Sequence, residues 1–153
     1  MPEAGLMGFA DKLSQVMPVL IREFIRDEAR ELYHGHVTPP QVLVMDFLFA
    51  NGESKMKELA SFMMVSTAAT TGIVDRLVKA GYVRRLFEPT DRRIIKVNLT
   101  FKGSELLRKI KEQRRRIIMH TFSKVSQEDR MDYLRIISQI RDAFVKEQAE
   151  SRS

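Results

Sequence analysis

Between residues 54 and 104 the chain changes its apolar period twice, in an order that few folds accommodate. Ser54 stands where it can cap a short helix over residues 55–63, and Met64-Val65 reads as a turn. Ser66 can cap a second helix over 67–80, with Gly81 placed to end it in the left-handed conformation. Residues 82–87 and 94–99 are rich in β-formers, and the polar stretch 88–93 between them makes a hairpin with a long charged tip. Short helix, tight turn, second helix and hairpin is the order of a winged helix-turn-helix, whose second helix enters the major groove of DNA.

Helices flank this unit on both sides. In residues 6–32, Phe9, Leu13, Val16, Met17, Leu20, Ile21, Phe24 and Ile25 recur at steps of three and four, giving one helix with a broad apolar stripe. Pro18 lies inside it and predicts a kink or break near Met17. After a loop at His34-Gly35-His36-Val37, Thr38-Pro39-Pro40-Gln41 reads as a capping box opening a helix that Asn51-Gly52 stops. Thr100 caps a long helix over 105–125, and Ser126 begins a last one with Met131, Leu134, Ile137, Ile140 and Phe144 as its apolar positions. The expected fold class is mainly α with a small β-hairpin wing. It is one domain over residues 1–153, with a winged part at 38–104 (helix-turn-helix at 55–80, wing at 82–99) and dimerisation helices at 6–37 and 105–150. The outer helices have broad apolar faces and little of their own chain to bury against, so pairing with a second copy is expected.

Charge is placed rather than spread. Residues 1–50 carry 4 basic and 7 acidic side chains, residues 51–104 carry 10 and 5, and residues 105–153 carry 12 and 8, for a net +6. A basic middle third suits a polyanion-binding surface at a defined place. The chain has no cysteine, which excludes disulfides, Cys-ligated zinc and thiol chemistry. Its longest strongly apolar stretch, 40–50, falls short of the ~18–20 residues that cross a bilayer. The first dozen residues show no basic region followed by an apolar run, so a cytoplasmic protein with no membrane association is expected.

The second helix of the central unit is the expected reader. Ala69, Ile73 and Leu77 fall together as its core-facing stripe, while Thr67, Thr70 and Thr71 cluster on another arc near its start. Three β-branched residues there are poor helix chemistry, yet threonine bonds phosphates and base edges and packs on the thymine methyl. Ser66 and the free amides of the first turn can hold a phosphate, and Ala68 and Gly72 permit close approach. Arg76 can reach phosphate or pair with Asp75 or a neighbour. At the hairpin tip, Arg92 and Arg93 suit a narrow minor groove, whose negative potential attracts arginine. Asp91 would repel phosphate, so its expected task is to hold an arginine or the turn in place. Arg84, Arg85 and Lys96 are expected to extend the positive surface.

The run from Met56 to Gly103 resembles the multiple-antibiotic-resistance regulator (MarR) family of winged-helix transcription factors. The likeness rests on Glu58-Leu59-Ala60, Val65-Ser66, Val74-Asp75-Arg76-Leu77, Gly81, and above all Asp91-x-Arg93 with Leu99-Thr100-x-x-Gly103. The resemblance implies a homodimer with two recognition helices in successive major grooves and wing tips in the flanking minor grooves. Arg93 matches the family's minor-groove arginine and Asp91 its wing-stabilising partner. Ser66, Thr67, Thr70 and Thr71 match positions where the recognition helix meets DNA, although Thr70 stands where many relatives carry an apolar residue. A small-molecule effector, often an aromatic or phenolic acid, is implied as well; no cofactor is.

His34 and His36 in one loop, with His120 far away in sequence, make a weak metal signal; a site completed by Glu31 or another carboxylate is the alternative, and no metal is expected. No Gly-x-Ser-x-Gly elbow, phosphate-binding glycine loop or His-Glu-x-x-His motif is present, so the chain is not expected to be an enzyme. The expected function is a sequence-specific, dimeric regulator of transcription, most simply a repressor on a pseudo-palindromic operator. The competing readings are a winged helix used for protein–protein contact and a nonspecific architectural DNA binder.

Overall fold

The computed structural model describes residues 2–31 and 36–151. It contains six helices and one small sheet: α1 (Pro2–Glu31), α2 (Pro39–Asn51), β1 (Ser54–Lys55), α3 (Met56–Met63), α4 (Thr67–Lys79), β2 (Val83–Phe87), β3 (Ile95–Leu99), α5 (Phe101–Phe122) and α6 (Gln127–Glu150). Two compact units divide the chain, Met1–Arg114 and Arg115–Ser153.

Most elements start and stop where their capping chemistry dictates. The Gln41 side-chain carbonyl accepts the Thr38 N–H at 2.8 Å, and prolines occupy the first positions of α2. That helix ends on Gly52, whose φ of 71° is left-handed backbone that a glycine adopts without strain. Ser66 and Ser126 each accept an amide of the first turn, from Ala69 and Asp129, both at 3.1 Å. α4 closes in a Schellman pair, with Tyr82 N–H on the Leu77 carbonyl and Gly81 N–H on that of Val78, and Gly81 at φ 79°. Lys102 adds a bond to the Ala80 carbonyl and lies over the Tyr82 ring.

Several expectations need correction. Pro18 does not break α1, which runs as one helix from Pro2 to Glu31; the residue removes one N–H donor, and its neighbours keep the helix going. Ser54 does not cap α3. It is buried in β1, where its hydroxyl donates to the Gly52 carbonyl, and Lys55 is the N-cap, its N–H held by Glu58 at 2.6 Å. β1 also makes the wing a three-stranded antiparallel sheet in the order β1-β3-β2 rather than a bare hairpin. α5 begins a turn earlier than expected, at Phe101, because Thr100 is its cap: the Thr100 hydroxyl accepts Gly103 N–H at 3.0 Å and donates to the Gly81 carbonyl at 2.6 Å.

The core of the first unit lies where α2, α3, α4 and the sheet meet α5. Val44, Met45, Leu59, Val74, Leu77, Val97 and Leu107 are fully buried. α2 is apolar on nearly every side; Val42, Val44, Met45 and Leu48 are buried, while Leu43 and Phe49 stay exposed. Gly103 shows how tight the α5 seat is: a Cβ there would stand 2.0 Å from the Tyr82 carbonyl oxygen. The Leu99-Thr100-x-x-Gly103 pattern therefore has a physical content. Thr100 caps the helix and Gly103 lets it touch the start of the wing. In contrast, α1 and α6 expose their apolar stripes, including Phe9, Leu13, Val16 and Leu20 on the first and Met131, Leu134, Ile137 and Ile140 on the second.

Candidate nucleic-acid interface

The face of α4 that looks outward is one residue away from the face the sequence suggests. Thr70, Val74 and Leu77 are buried, while Ala69 is exposed and Ile73 only partly covered. Thr70 is thus a core residue and not available to DNA. Its hydroxyl donates to the Ser66 carbonyl at 3.0 Å, which satisfies the polar atom inside an otherwise apolar contact. Thr67 and Thr71 stay accessible. The Thr71 hydroxyl donates to the Thr67 carbonyl at 2.8 Å, so its proton is committed and its lone pairs remain open to an outside donor. The Ser66 oxygen accepts from Ala69, which leaves its own O–H free to donate.

Among the described residues, the ion pairs divide the basic side chains into two groups. Asp75 pairs with Arg85, tying α4 to β2. Lys96 holds Glu88 at 2.5 Å and Glu53 at 3.2 Å, and those hydrogen bonds, that of Glu88 foremost, raise its pKa above the ordinary lysine value. Arg84 bonds Asn98 at 2.9 Å and keeps its charge exposed. Arg85 and Lys96 consequently serve the wing's own structure and do not extend the positive surface as expected. Arg76, Arg92 and Arg93 are exposed, and their side chains have no partner among the described residues.

The wing tip is held from within. The Asp91 carboxylate accepts the Arg93 N–H at 3.0 Å, the Asp91 carbonyl accepts that of Ile94 at 3.0 Å, and Ile94 accepts from Glu88 at 3.1 Å. Asp91 therefore spends its charge on backbone geometry, and both tip arginines project from a defined turn. Between this tip and the start of α4 lies an open cleft of about 410 Å³, lined by Lys55, Met56, Lys57, Thr67, Thr71, Arg93, Ile94 and Ile95. Lys55 and Lys57 were not singled out in the sequence; they precede or open a helix that reads only as support for the turn. Their spacing of two around Met56 was the available signal.

His34 lies outside the described residues, and His36 and His120 are exposed. No group of three or more His, Asp or Glu side chains suited to a metal occurs among the described residues. Among them, too, no helix is long and apolar enough to cross a membrane.

Comparison with known proteins bears on this geometry. The MarR family model matches residues 37–95, which contain the whole path from α2 to the wing tip. Over that winged part the chain is similar to the MarR family. The uncharacterized HTH-type transcriptional regulator YsmB of Bacillus subtilis is 26% identical over 110 residues, covering 71% of this chain and 75% of its own. The HTH-type transcriptional repressor MdtR of the same organism is 29% identical over 107 residues, covering 70% and 69%. In structure, a MarR family protein from Bacillus stearothermophilus superposes with a TM-score of 0.81 at 20% identity over 91% of this chain and 97% of its own. The fold is the MarR winged helix, and these curated relatives are HTH-type regulators of transcription.

Proposed function

We propose that the protein acts as a homodimeric repressor on a pseudo-palindromic operator. Ser66, Thr67, Thr71 and Arg76 on α4 meet the major groove, and Arg92 and Arg93 on the wing enter the adjacent minor groove, with Asp91 holding the tip. The residues bounding the cleft add Lys55 and Lys57 as phosphate contacts. The observation that carries this reading is the sorting of charge: within the basic middle third, Arg76, Arg92 and Arg93 are exposed and have no ion-pair partner among the described residues, while Arg85 and Lys96 are held by Asp75, Glu88 and Glu53. A solvated surface has no reason to keep these side chains apart from the acidic ones. The exposed apolar stripes of α1 and α6 support a division of labour in which residues 38–104 read DNA and residues 6–37 and 105–150 form the dimer.

Arg93→Ala tests the assignment at the wing. Each lost phosphate-like contact lowers the slope of log affinity against log salt by about one. The variant is expected to bind duplex DNA more weakly and with that shallower slope; unchanged affinity and slope would remove Arg93 from the interface. An effector belongs to the same reading. A second cleft of about 410 Å³, lined by His36, Tyr82, Phe101, Lys102, Glu105, Leu106 and Lys109, offers aromatic walls and two lysines, chemistry suited to an aromatic carboxylate. Titration of the DNA complex with benzoate and salicylate should release DNA, and Lys102→Ala should blunt that response.

A further inference from the structure

The ion-pair network around Lys96 has a geometry that surface pairs generally lack. Lys96 sits in β3, the middle strand, opposite Leu86 of β2 and Lys55 of β1. Glu88 lies two residues beyond Leu86 and Glu53 two residues before Lys55, so one carboxylate reaches Lys96 from each side of the strand. The Lys96 and Glu88 side chains are only 27% and 26% exposed, which limits screening by salt. Glu88 is also the first residue of the wing tip, and Glu53 belongs to the loop that leads from α2 into β1.

We propose that Lys96 is a positioning residue for the wing: by holding Glu88 and Glu53 together it fixes the root of the tip against the α2–β1 loop, and so sets where Arg92 and Arg93 meet DNA. Two acidic residues close to a DNA-binding surface would otherwise only repel phosphate. In this arrangement they strengthen binding, because the cost of their charge is offset by a wing presented in one attitude. The inference rests on the reading of the tip arginines as DNA contacts.

The test uses that sign. Wild type, Glu88→Gln, Glu53→Gln, Lys96→Arg, Arg93→Ala and the double variant Glu88→Gln/Arg93→Ala are titrated with a duplex enriched by the wild-type protein from a random pool. Removing a negative charge from the DNA-binding unit tightens binding if electrostatics alone operates. Positioning predicts the opposite: Glu88→Gln and Glu53→Gln bind about 3- to 5-fold more weakly, with a shallower salt slope, and Lys96→Arg, which keeps both partners, stays near wild type. In the Arg93→Ala background the weakening by Glu88→Gln becomes smaller, because only Arg92 is left to position. Tighter or unchanged binding by Glu88→Gln in the wild-type background overturns the clamp, as does equal weakening in both backgrounds, which marks a general loss of structure. An Arg93→Ala protein that binds like wild type overturns the reading of the wing itself, a separate failure.

Discussion

Thr70 and Thr71 have the same side chain and the same hydrogen bond to the carbonyl four residues back, yet one is in the core and the other lines the cleft. Each residue turns a helix by 100°, so a shift of one position decides which of them DNA can reach. Thr70→Val is expected to cost less than about 1 kcal/mol, because the Ser66 carbonyl keeps its bond from the Thr70 N–H and the new methyl is buried. Its DNA affinity should stay within about twofold of wild type, since no base contact is lost. Thr71→Ala should instead change the ranking of operator variants more than it changes nonspecific affinity. Urea unfolding and titration against a panel of duplexes check both outcomes; uniform weakening by Thr71→Ala would deny it a part in base reading. This pair also marks a limit of the sequence. A threonine among threonines looks like surface, and only packing against Val74 and Leu77's side of the helix reveals a satisfied hydroxyl inside the core.

Among the elements, those governed by local chemistry were legible and those completed by distant partners were not. Ser66, Gly81 and Ser126 mark helix ends by rules that act within four or five residues, and the structure places those ends there. β1 consists of a serine and a lysine with no strand propensity of note, and exists because β3 offers it a free edge. Arg85 and Lys96 likewise look like spare positive charge until Asp75, Glu88 and Glu53 are brought to them by the fold. The seat of α5 on the wing makes a sharper test. A methyl group on Gly103 would collide with backbone, which cannot give way as a flexible side chain can. Gly103→Ala should therefore destabilise the protein by about 2–3 kcal/mol, the upper range for overpacking, despite alanine's better helix propensity. A chemical-denaturation midpoint equal to wild type would mean that α5 does not depend on this close approach.

At the scale of the molecule, α1 and α6 leave long apolar stripes in water. Several bulky side chains exposed along each of two helices are more than a monomer keeps without a purpose, and a second copy is the partner that a symmetric DNA site calls for. The winged fold was readable from Asp91-x-Arg93 and Leu99-Thr100-x-x-Gly103, because those residues make the wing turn and the α5 seat. What reads bases depends on the DNA as well as on the protein. Selection of random duplexes on the purified protein, repeated at two salt concentrations, addresses that directly. A dimer with paired reading helices predicts enrichment of an inverted repeat whose half-sites lie about one helical turn, ~10 base pairs, apart, with affinity falling as salt rises. Enrichment without a motif, or a single half-site bound by a monomer, would contradict it.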